Sequence, residues 1–288
     1  MNNVAIATTS GGYKSAFVQG VLSFFEEMEF LASAYASCSS SAMVVALAAV
    51  KKIKDFPLSV WYEGYKLSQQ ENKSQSDAAF YAIDLIYSKI EKEIFEIKKR
   101  FLVATSFVKT EEAELMTQSE KAKRLGQKLL IDASRKNMDW RDENLELHLY
   151  DTYKCEQTHI INDKNIKEVM YATTRMLHAW HIPANIDGKP YIDGSYTSLC
   201  PAVQMAELGY KEIICITTEH NYTQKDLFTK DVIPKIVNNS EIIFIKPDYD
   251  LSVIGVDYFK TTEQGLKKAY LHGIEKAHEF LKSYKSGD

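Results

Sequence analysis

The sequence has few of the features that mark metal-binding, disulfide-rich, membrane-spanning or nucleic-acid-binding chains. Its four cysteines are widely spaced and form no C-x-x-C pair, so neither a zinc site nor a disulfide framework is predicted. A reducing compartment is the simpler expectation for such a chain. The longest apolar stretch, around residues 42–50, is too short to span a bilayer. The net charge of −4, without a basic stripe, argues against a nucleic-acid partner.

The beginning of the sequence also lacks a targeting pattern. No charged region followed by an apolar run precedes the first apolar segment at residues 4–7, so no signal peptide is predicted. We therefore expect a cytoplasmic protein, which can still meet a membrane at its surface. The length of 288 residues allows one large α/β domain or two small ones.

Short apolar runs alternate with helical patterns along most of the chain. Strands are predicted at residues 4–7, 30–36, 101–104, 145–150, 191–192, 212–216 and 242–245. Helices are predicted at residues 17–27, 42–52, 129–133, 166–177, 202–208 and 262–285. No repeat or linker divides the chain. We predict an α/β fold in one domain, residues 1–288, with a mostly parallel sheet between helices.

One stretch interrupts this alternation of strands and helices. Residues 57–100 are helical and amphipathic, with isoleucines along one face and lysines and glutamates elsewhere. The stretch is either a cap over a functional site or a plain insertion, and the sequence does not decide whether the wider region 57–140 acts as a lid.

Three short segments of small residues carry the functional signal. Residues 10–15 read S-G-G-Y-K-S, residues 37–41 read S-C-S-S-S, and residues 193–195 read D-G-S. Each follows an apolar run that predicts a strand. Ligands of open α/β sheets bind at the carboxyl ends of the strands, where such turns lie.

Ser39 is the candidate nucleophile. A serine hydroxyl needs a base to remove its proton, and a turn between a buried strand and an apolar helix holds it at the end of the sheet. The amide of Ser40 can point into an oxyanion hole, as at a nucleophile elbow. Gly11 and Gly12 offer further amides, because the absence of a Cβ lets the backbone approach a ligand. Lys14 is a possible accessory residue that adds charge or orients the loop.

Asp193 is the candidate base, placed after a predicted strand and before Gly194. Its carboxylate would accept the Ser39 proton directly. None of the seven histidines has an obvious catalytic setting, although His178 and His181 lie close to Asp193 in sequence. A Ser-His-Asp triad therefore stays open, since triads are recognised by geometry rather than by order.

The order of the three segments resembles that of the patatin-like phospholipases. That family carries a glycine-rich turn (G-G-G-x-[RK]-G), a G-x-S-x-G elbow and a D-G-[GA] motif. The flanking residues 19–22, 172–175, 182–192 and 208–210 are similar to the family as well, so the resemblance covers nearly the whole chain except about 55–140. It implies a three-layer α/β/α sandwich and hydrolysis of acyl esters in lipids by a Ser39–Asp193 dyad, without metal or cofactor.

Five serines of this chain replace glycines of the family motifs: Ser10, Ser15, Ser37, Ser41 and Ser195. A residue with a Cβ at positive φ costs about 1 kcal/mol or more, but serine is the smallest polar replacement. The degree of catalysis therefore depends on whether these five serines are tolerated. The sequence therefore predicts a lipid acyl hydrolase. Alternatives are a weak or inactive binding protein of the same fold, or an acyltransferase or thioesterase with the same dyad. The sequence leaves the head group, the acyl chain and the oligomeric state open.

Overall fold

The computed structural model describes residues 4–285. The strands are β1 (Val4–Thr8), β2 (Ala34–Cys38), β3 (Arg100–Val108), β4 (Leu145–Asp151), β5 (His159–Ile160), β6 (Asn185–Ile186), β7 (Lys189–Ile192), β8 (Glu212–Ile216), β9 (Ile236–Val237) and β10 (Ser240–Ile245). The helices are α1 (Ser15–Glu27), α2 (Ser41–Ala49), α3 (Ser59–Ser68), α4 (Gln75–Ile90), α5 (Glu93–Glu96), α6 (Glu111–Thr117), α7 (Ala122–Ser134), α8 (Asp139–Asn144), α9 (Ile166–Thr174), α10 (Ala202–Glu207) and α11 (Glu263–Lys285). Short 3₁₀ turns lie at Gly12–Lys14, Ile53–Asp55, Gly194–Tyr196 and Leu251–Ile254.

The strands form one sheet in the order β5-β4-β3-β2-β1-β8-β10-β9. The five central strands, β3, β2, β1, β8 and β10, are parallel. Strand β4 runs antiparallel to β3 but parallel to β5, and β9 runs antiparallel to β10. The hairpin of β6 and β7 joins β3 through β7, which is antiparallel to it. The prediction of a mostly parallel sheet is therefore confirmed.

Helices cover both faces of this sheet, because alternate residues of the buried strands point to opposite sides. In β1, Ile6 lies in the large cluster formed with α1, α2, α4 and α11. Ala5 and Ala7 lie in a second cluster on the other face, formed with α10. The predicted α/β architecture with helices on both sides of the sheet is confirmed.

Several predicted boundaries were wrong. The second strand begins at Ala34 rather than at residue 30, because the ring of Phe30 packs against Phe25 and Phe280 instead of extending the sheet. The helix predicted at residues 42–52 ends at Ala49, and Lys51 already adopts a positive φ of 60°. The helix predicted to reach residue 177 ends at Thr174. The stretch 57–100 is divided into three helices, α3, α4 and α5.

Within residues 4–285, no helix is long and apolar enough to cross a membrane. The same part of the chain contains no group of three or more His, Cys, Asp or Glu residues that could hold a metal ion. All four cysteines are free thiols.

Candidate active site

Sheet topology brings the three predicted turns together. The turns after β1 and β2 lie at the same edge of the sheet because these neighbouring strands are parallel. Cys38, the last residue of β2, pairs with Ala104 of β3. The antiparallel strand β7 pairs Ile192 with Ser106, slightly further along β3. The chain therefore leaves β7 towards the end of β2, and Asp193 arrives beside Ser39.

Ser39 and Asp193 are in direct contact. The Ser39 hydroxyl donates a hydrogen bond of 2.7 Å to Oδ2 of Asp193 across 154 residues of sequence. The Asp193 side chain is fully buried, and Ser39 is only 5% exposed. This distance lies within the reach over which a base can remove the proton of a nucleophile.

The backbone at Ser39 is strained. Its φ is +57°, in the left-handed region that serine rarely adopts, at a cost of about 1 kcal/mol or more. Thr173 of α9 holds the conformation, since its Oγ1 accepts a bond of 2.8 Å from the Ser39 amide and donates one of 2.6 Å to the carbonyl of Ala104. Strand, elbow and helix α9 are thereby fixed relative to one another.

The Asp193 carboxylate has three hydrogen-bond donors. Besides Ser39 on Oδ2, its Oδ1 accepts bonds from the Ser195 amide at 2.8 Å and from the Ser195 hydroxyl at 2.6 Å. The Ser106 hydroxyl donates to the Asp193 backbone carbonyl at 2.8 Å. Burial raises the pKa of Asp193 to about 6, although the hydrogen bonds from Ser195 and Ser39 oppose this rise. A carboxyl with this pKa can accept and release a proton close to neutral pH.

No histidine among the described residues hydrogen bonds to Ser39 or Asp193. His178 lines the same crevice as Ser39, and burial lowers its pKa. His181 is solvent-exposed. The geometry therefore favours the serine–aspartate pair over the Ser-His-Asp alternative.

The amides predicted to form an oxyanion hole have no acceptor of their own. Within residues 4–285, the backbone N–H groups of Gly11, Gly12 and Ser40 make no hydrogen bond. Gly12 has a φ of +53°, and a Cβ there would lie 2.0 Å from the carbonyl oxygen of Tyr258. Only glycine fits this position. Unpaired amides at the end of a sheet can bind a developing oxyanion.

Lys14 has a structural environment. Its ammonium group is buried between Glu219 at 3.1 Å and Asp250 at 3.2 Å, and it lies 4.6 Å from the ring centre of Tyr258. The Tyr258 hydroxyl in turn donates to Glu219. The charge of Lys14 is thus balanced by protein carboxylates. Of its two predicted roles, orienting the loop fits better than adding free charge to the site.

The five serines that replace motif glycines have no left-handed backbone strain. None of Ser10, Ser15, Ser37, Ser41 and Ser195 has a positive φ, and the strained residue is Ser39 itself. Conformations open to any residue leave room for a side chain at these positions.

Three of these serines use their hydroxyls to build the site. Ser41 donates to the carbonyl of Thr9 at 2.6 Å, and Ser15 lies 3.0 Å from the Ser41 hydroxyl and 2.9 Å from that of Ser40. Ser195 donates to Asp193, as described above. In contrast, the buried hydroxyl of Ser37 has no partner. The substitutions thus join the first turn to the elbow.

Two apolar cavities meet at this site. One, the crevice of Ser39, is lined by Ser39 together with Met176, Trp180, Phe259 and Leu130. The other is a slot of about 50 Å³ beside Ser40, with room for a few waters. Residues of α2, α3 and α4 form its walls: Met43, Val60, Trp61, Gly64, Ala78, Ala79 and Ala82. The helices predicted as a cap or insertion therefore line a pocket next to the candidate nucleophile.

Three residues that contribute to the site were not predicted as site residues from the sequence. Thr173 lies in the flank that resembles the phospholipases, so this resemblance could have singled it out. Ser106 and Tyr258 come from distant elements, β3 and the loop before α11, and no local pattern marks them. Contacts across strands and loops determine their positions.

Comparisons with known proteins identify no family for this chain. No family model matches the sequence, and no curated protein matches it. Among solved structures, VipD from Legionella pneumophila is similar at a TM-score of 0.48 and 11% identity. The match covers 97% of this chain, which spans only 66% of that one. A likeness at this TM-score carries no argument about chemistry.

Proposed function

We propose that this chain is a serine acyl hydrolase that acts on lipid esters, with Ser39 as the nucleophile and Asp193 as the base. The observation that carries the proposal is the buried 2.7 Å hydrogen bond between these two side chains. The unpaired amides of Gly11, Gly12 and Ser40 support it, because acyl transfer needs donors for an oxyanion. The resemblance of the three turns to those of the patatin-like phospholipases points to the same chemistry.

In the first half of the reaction, the Ser39 oxygen attacks the carbonyl carbon of the ester while its proton moves to Oδ2 of Asp193. The negative charge that develops on the carbonyl oxygen is stabilised by the three amides. The protonated Asp193 then donates its proton to the departing alcohol, and an acyl group remains on Ser39. A pKa of about 6 suits both steps, since the group must accept and return a proton near neutral pH.

In the second half, water replaces the alcohol. Asp193, again ionised, removes a proton from the water as it attacks the acyl carbonyl, and the same amides hold the second oxyanion. The bond to Ser39 breaks, the serine oxygen recovers its proton from Asp193, and a carboxylic acid leaves. The chemistry of this cycle requires no metal or cofactor.

The apolar slot beside Ser40 supports an acyl chain as the part of the substrate that is recognised. Its walls carry mostly small or apolar side chains, and its small volume of about 50 Å³ suits a slender linear chain better than a branched or ring-shaped group. In this proposal, α3 and α4 form the wall of an acyl pocket within one domain. Their small residues Gly64, Ala78 and Ala79 then limit the length and width of the chain that fits.

The direct test is hydrolysis of p-nitrophenyl esters and of phospholipid by the purified chain and by its Ser39→Ala and Asp193→Asn variants. We expect both variants to lose at least about ten-thousandfold in kcat, as when a nucleophile or its base is removed. Ser37→Ala is the matched control, because its buried hydroxyl lies two residues away and has no partner. Equal hydrolysis by the wild type and both variants would falsify the dyad. Added acceptor alcohols separate hydrolysis from acyl transfer.

A second experiment addresses the acyl pocket. Ala79→Leu fills the slot without touching Ser39 or Asp193. We expect activity on short-chain esters to persist while activity on longer chains falls. The exposed Phe80, next in sequence, gives the control variant Phe80→Leu. If the ratio of long-chain to short-chain activity is the same in all three proteins, the slot does not hold the acyl chain.

A further inference from the structure

Helix α7 and its two ends concentrate positive charge in an otherwise slightly acidic chain. Residues 121–136 contain six Lys or Arg residues and one acid, Asp132, although the whole chain has a net charge of −4. The glutamates of α6 precede this stretch, so the excess is confined to α7 and the residues that flank it. A local excess of this kind can bind an anionic surface that would repel the protein as a whole.

The position of α7 beside the candidate active site is fixed by packing. Leu125 and Leu129 are buried in the cluster under the helix. Gly126 lets the helix approach the chain after α9, since a Cβ there would lie 2.5 Å from the backbone nitrogen of His178. Leu130, which is 37% exposed, lines the crevice that contains Ser39. The outer face of α7 therefore borders the opening of this crevice.

This outer face combines cations with an exposed apolar side chain. Ile131 is 52% exposed. With 3.6 residues per turn, Arg124, Lys128 and Arg135 lie within about 60° of it around the helix axis. Within residues 4–285, none of these three cations forms an ion pair. We call these four residues the α7 cationic face.

We propose that the α7 cationic face docks the protein on an anionic lipid bilayer, with the crevice of Ser39 turned towards the membrane. Charge complementarity supports this partner, since each Lys or Arg near an anionic membrane surface contributes to binding. Ile131 and Leu130 would enter the boundary between head groups and acyl chains, as the apolar side chains of interfacial helices do. The proposal rests on the proposed function, because docking would place ester substrates at the crevice.

An acidic protein surface is the other partner that three cations could bind. The bilayer fits better because the cations surround an exposed isoleucine and adjoin a leucine of the crevice. On an anionic bilayer, the apolar side chains can enter the membrane while the cations contact the head groups, and both contributions favour binding. The opening of a cavity with apolar walls beside this face agrees with the same partner.

The test is sedimentation of the full chain, carrying Ser39→Ala, with vesicles of phosphatidylcholine alone and of phosphatidylcholine and phosphatidylserine in equal parts. We expect binding to the anionic vesicles only, weakening as salt rises. Combined Arg124→Ala, Lys128→Ala and Arg135→Ala should lower partitioning on the order of a hundredfold. Ile131→Ser should weaken it as well, and thermal melts verify that each variant is folded.

The matched control removes three exposed lysines from the opposite edge of the sheet. Lys51, Lys98 and Lys211 lie beside the amino ends of the central strands, so their replacement by Ala changes the net charge equally. This control should bind the anionic vesicles like the parent protein. Equal loss in both triple variants, or no loss in the α7 variant, overturns the proposal.

Absence of binding by the parent protein also overturns the proposal and favours an acidic protein partner. The result is independent of the proposed function, because the Ser39→Ala protein needs no turnover to bind. In the background with Ser39 intact, the α7 triple variant should hydrolyse a water-soluble short-chain ester at the wild-type rate. If no protein, including the wild type, hydrolyses this ester while binding to vesicles is retained, the proposed hydrolase activity is rejected and the docking proposal stands.

Discussion

The turn after β2 and the turn after β7 meet at the Ser39–Asp193 hydrogen bond, but they differ in construction. The elbow turn, residues 38–41, has a strained φ at Ser39 and leaves the Ser40 amide without an acceptor. The aspartate turn, residues 193–197, has no residue at positive φ, and each oxygen of its carboxylate accepts a hydrogen bond.

The difference agrees with the two tasks that the proposed mechanism assigns to these turns. Hydrogen-bond donors that stabilise a transient negative charge must be unpaired in the resting protein. The strained elbow holds one such donor, the Ser40 amide, in place. A buried carboxylate must instead be stabilised at all times, because an unpaired buried charge is costly. Three of the substituting serines follow this division: Ser15 and Ser41 connect the elbow turn to the turn after β1, whereas Ser195 bonds directly to Asp193.

Apart from removal of the Ser39 or Asp193 side chain, the largest effect on activity is expected from Gly12→Ala, which disturbs the donor side. The new Cβ would lie 2.0 Å from the Tyr258 carbonyl oxygen at a φ of +53°, so the amides of this turn must shift. We expect kcat for a soluble ester to fall about 10²–10³-fold, as when an oxyanion-hole donor is removed. Gly188→Ala, at a φ of +77° with no atom within 4 Å, introduces backbone strain alone and should retain activity. A Gly12→Ala protein with wild-type kcat would contradict the assignment of this turn.

Asp193→Asn probes the other side through stability. Burial raises the pKa of Asp193 from 3.8 to about 6, so the folded state binds this proton more tightly than the unfolded chain does. The resulting stabilisation is complete below the unfolded pKa and is lost as pH rises through about 6. Asparagine does not titrate. As the pH rises from about 4 to about 8, the unfolding free energy of the Asp193→Asn variant should therefore increase by roughly 2–3 kcal/mol relative to that of the wild type.

Urea denaturation at several pH values measures this difference. Asp84→Asn, at an exposed carboxylate of α4, provides the background change for removal of one negative charge. If the difference between Asp193→Asn and wild type is constant with pH, the carboxyl is not perturbed by burial.

Ser41→Ala should destabilise the protein by about 1–2 kcal/mol, because the Thr9 carbonyl loses its donor and the contact with Ser15 is lost. Glycine, which stands at this position in the patatin-like motif, should bring the same loss, because Ser41 has no left-handed strain to relieve. Ser37→Ala is the matched control, since its equally buried hydroxyl has no partner to lose. The midpoints of denaturant unfolding compare the two stabilities. Equal midpoints for the two variants would show that the hydrogen bonds of Ser41 contribute nothing to stability.

The smallest effect, a shift of the pH profile, is expected from Ser195→Ala. Its hydroxyl donates to Oδ1 of Asp193 and lowers the pKa of this carboxyl group. Without that bond the pKa rises, so the acid limb of kcat/KM, expected near pH 6 in wild type, should move to higher pH. The Cys38 thiol and the Tyr196 phenol also face Asp193, but burial raises both their pKa values and keeps them neutral. Ser198→Ala, in the same segment, should leave the limb unmoved.

Much of the fold follows from local patterns. The apolar runs at residues 4–7, 212–216 and 242–245 predict buried parallel strands because they are short, continuous and followed by turn residues. Boundaries are less certain where packing overrides pattern. Phe30 belongs to an apolar run but leaves the sheet to contact Phe280 of the last helix, which lies 250 positions further along the chain.

The candidate site divides in the same way. Ser39, Gly12 and Asp193 can be nominated from their turns and from the order of the motifs. The conformation of the substituting serines cannot, because φ at a turn depends on how the next helix packs. Ser41 begins α2 and Ser195 lies in a 3₁₀ turn, so neither requires the left-handed region.

The sequence by itself determined the class of fold and the residue types of the site, since strand runs, small-residue turns and helical periodicity are local properties. Only the tertiary structure decided that Asp193 lies 2.7 Å from Ser39 and that Lys14 is neutralised by Glu219 and Asp250. The Ser39–Asp193 contact spans 154 residues, and both contacts of Lys14 span more than two hundred. They depend on the antiparallel pairing of β7 with β3 and on the packing of the loop at Tyr258, which no local pattern specifies.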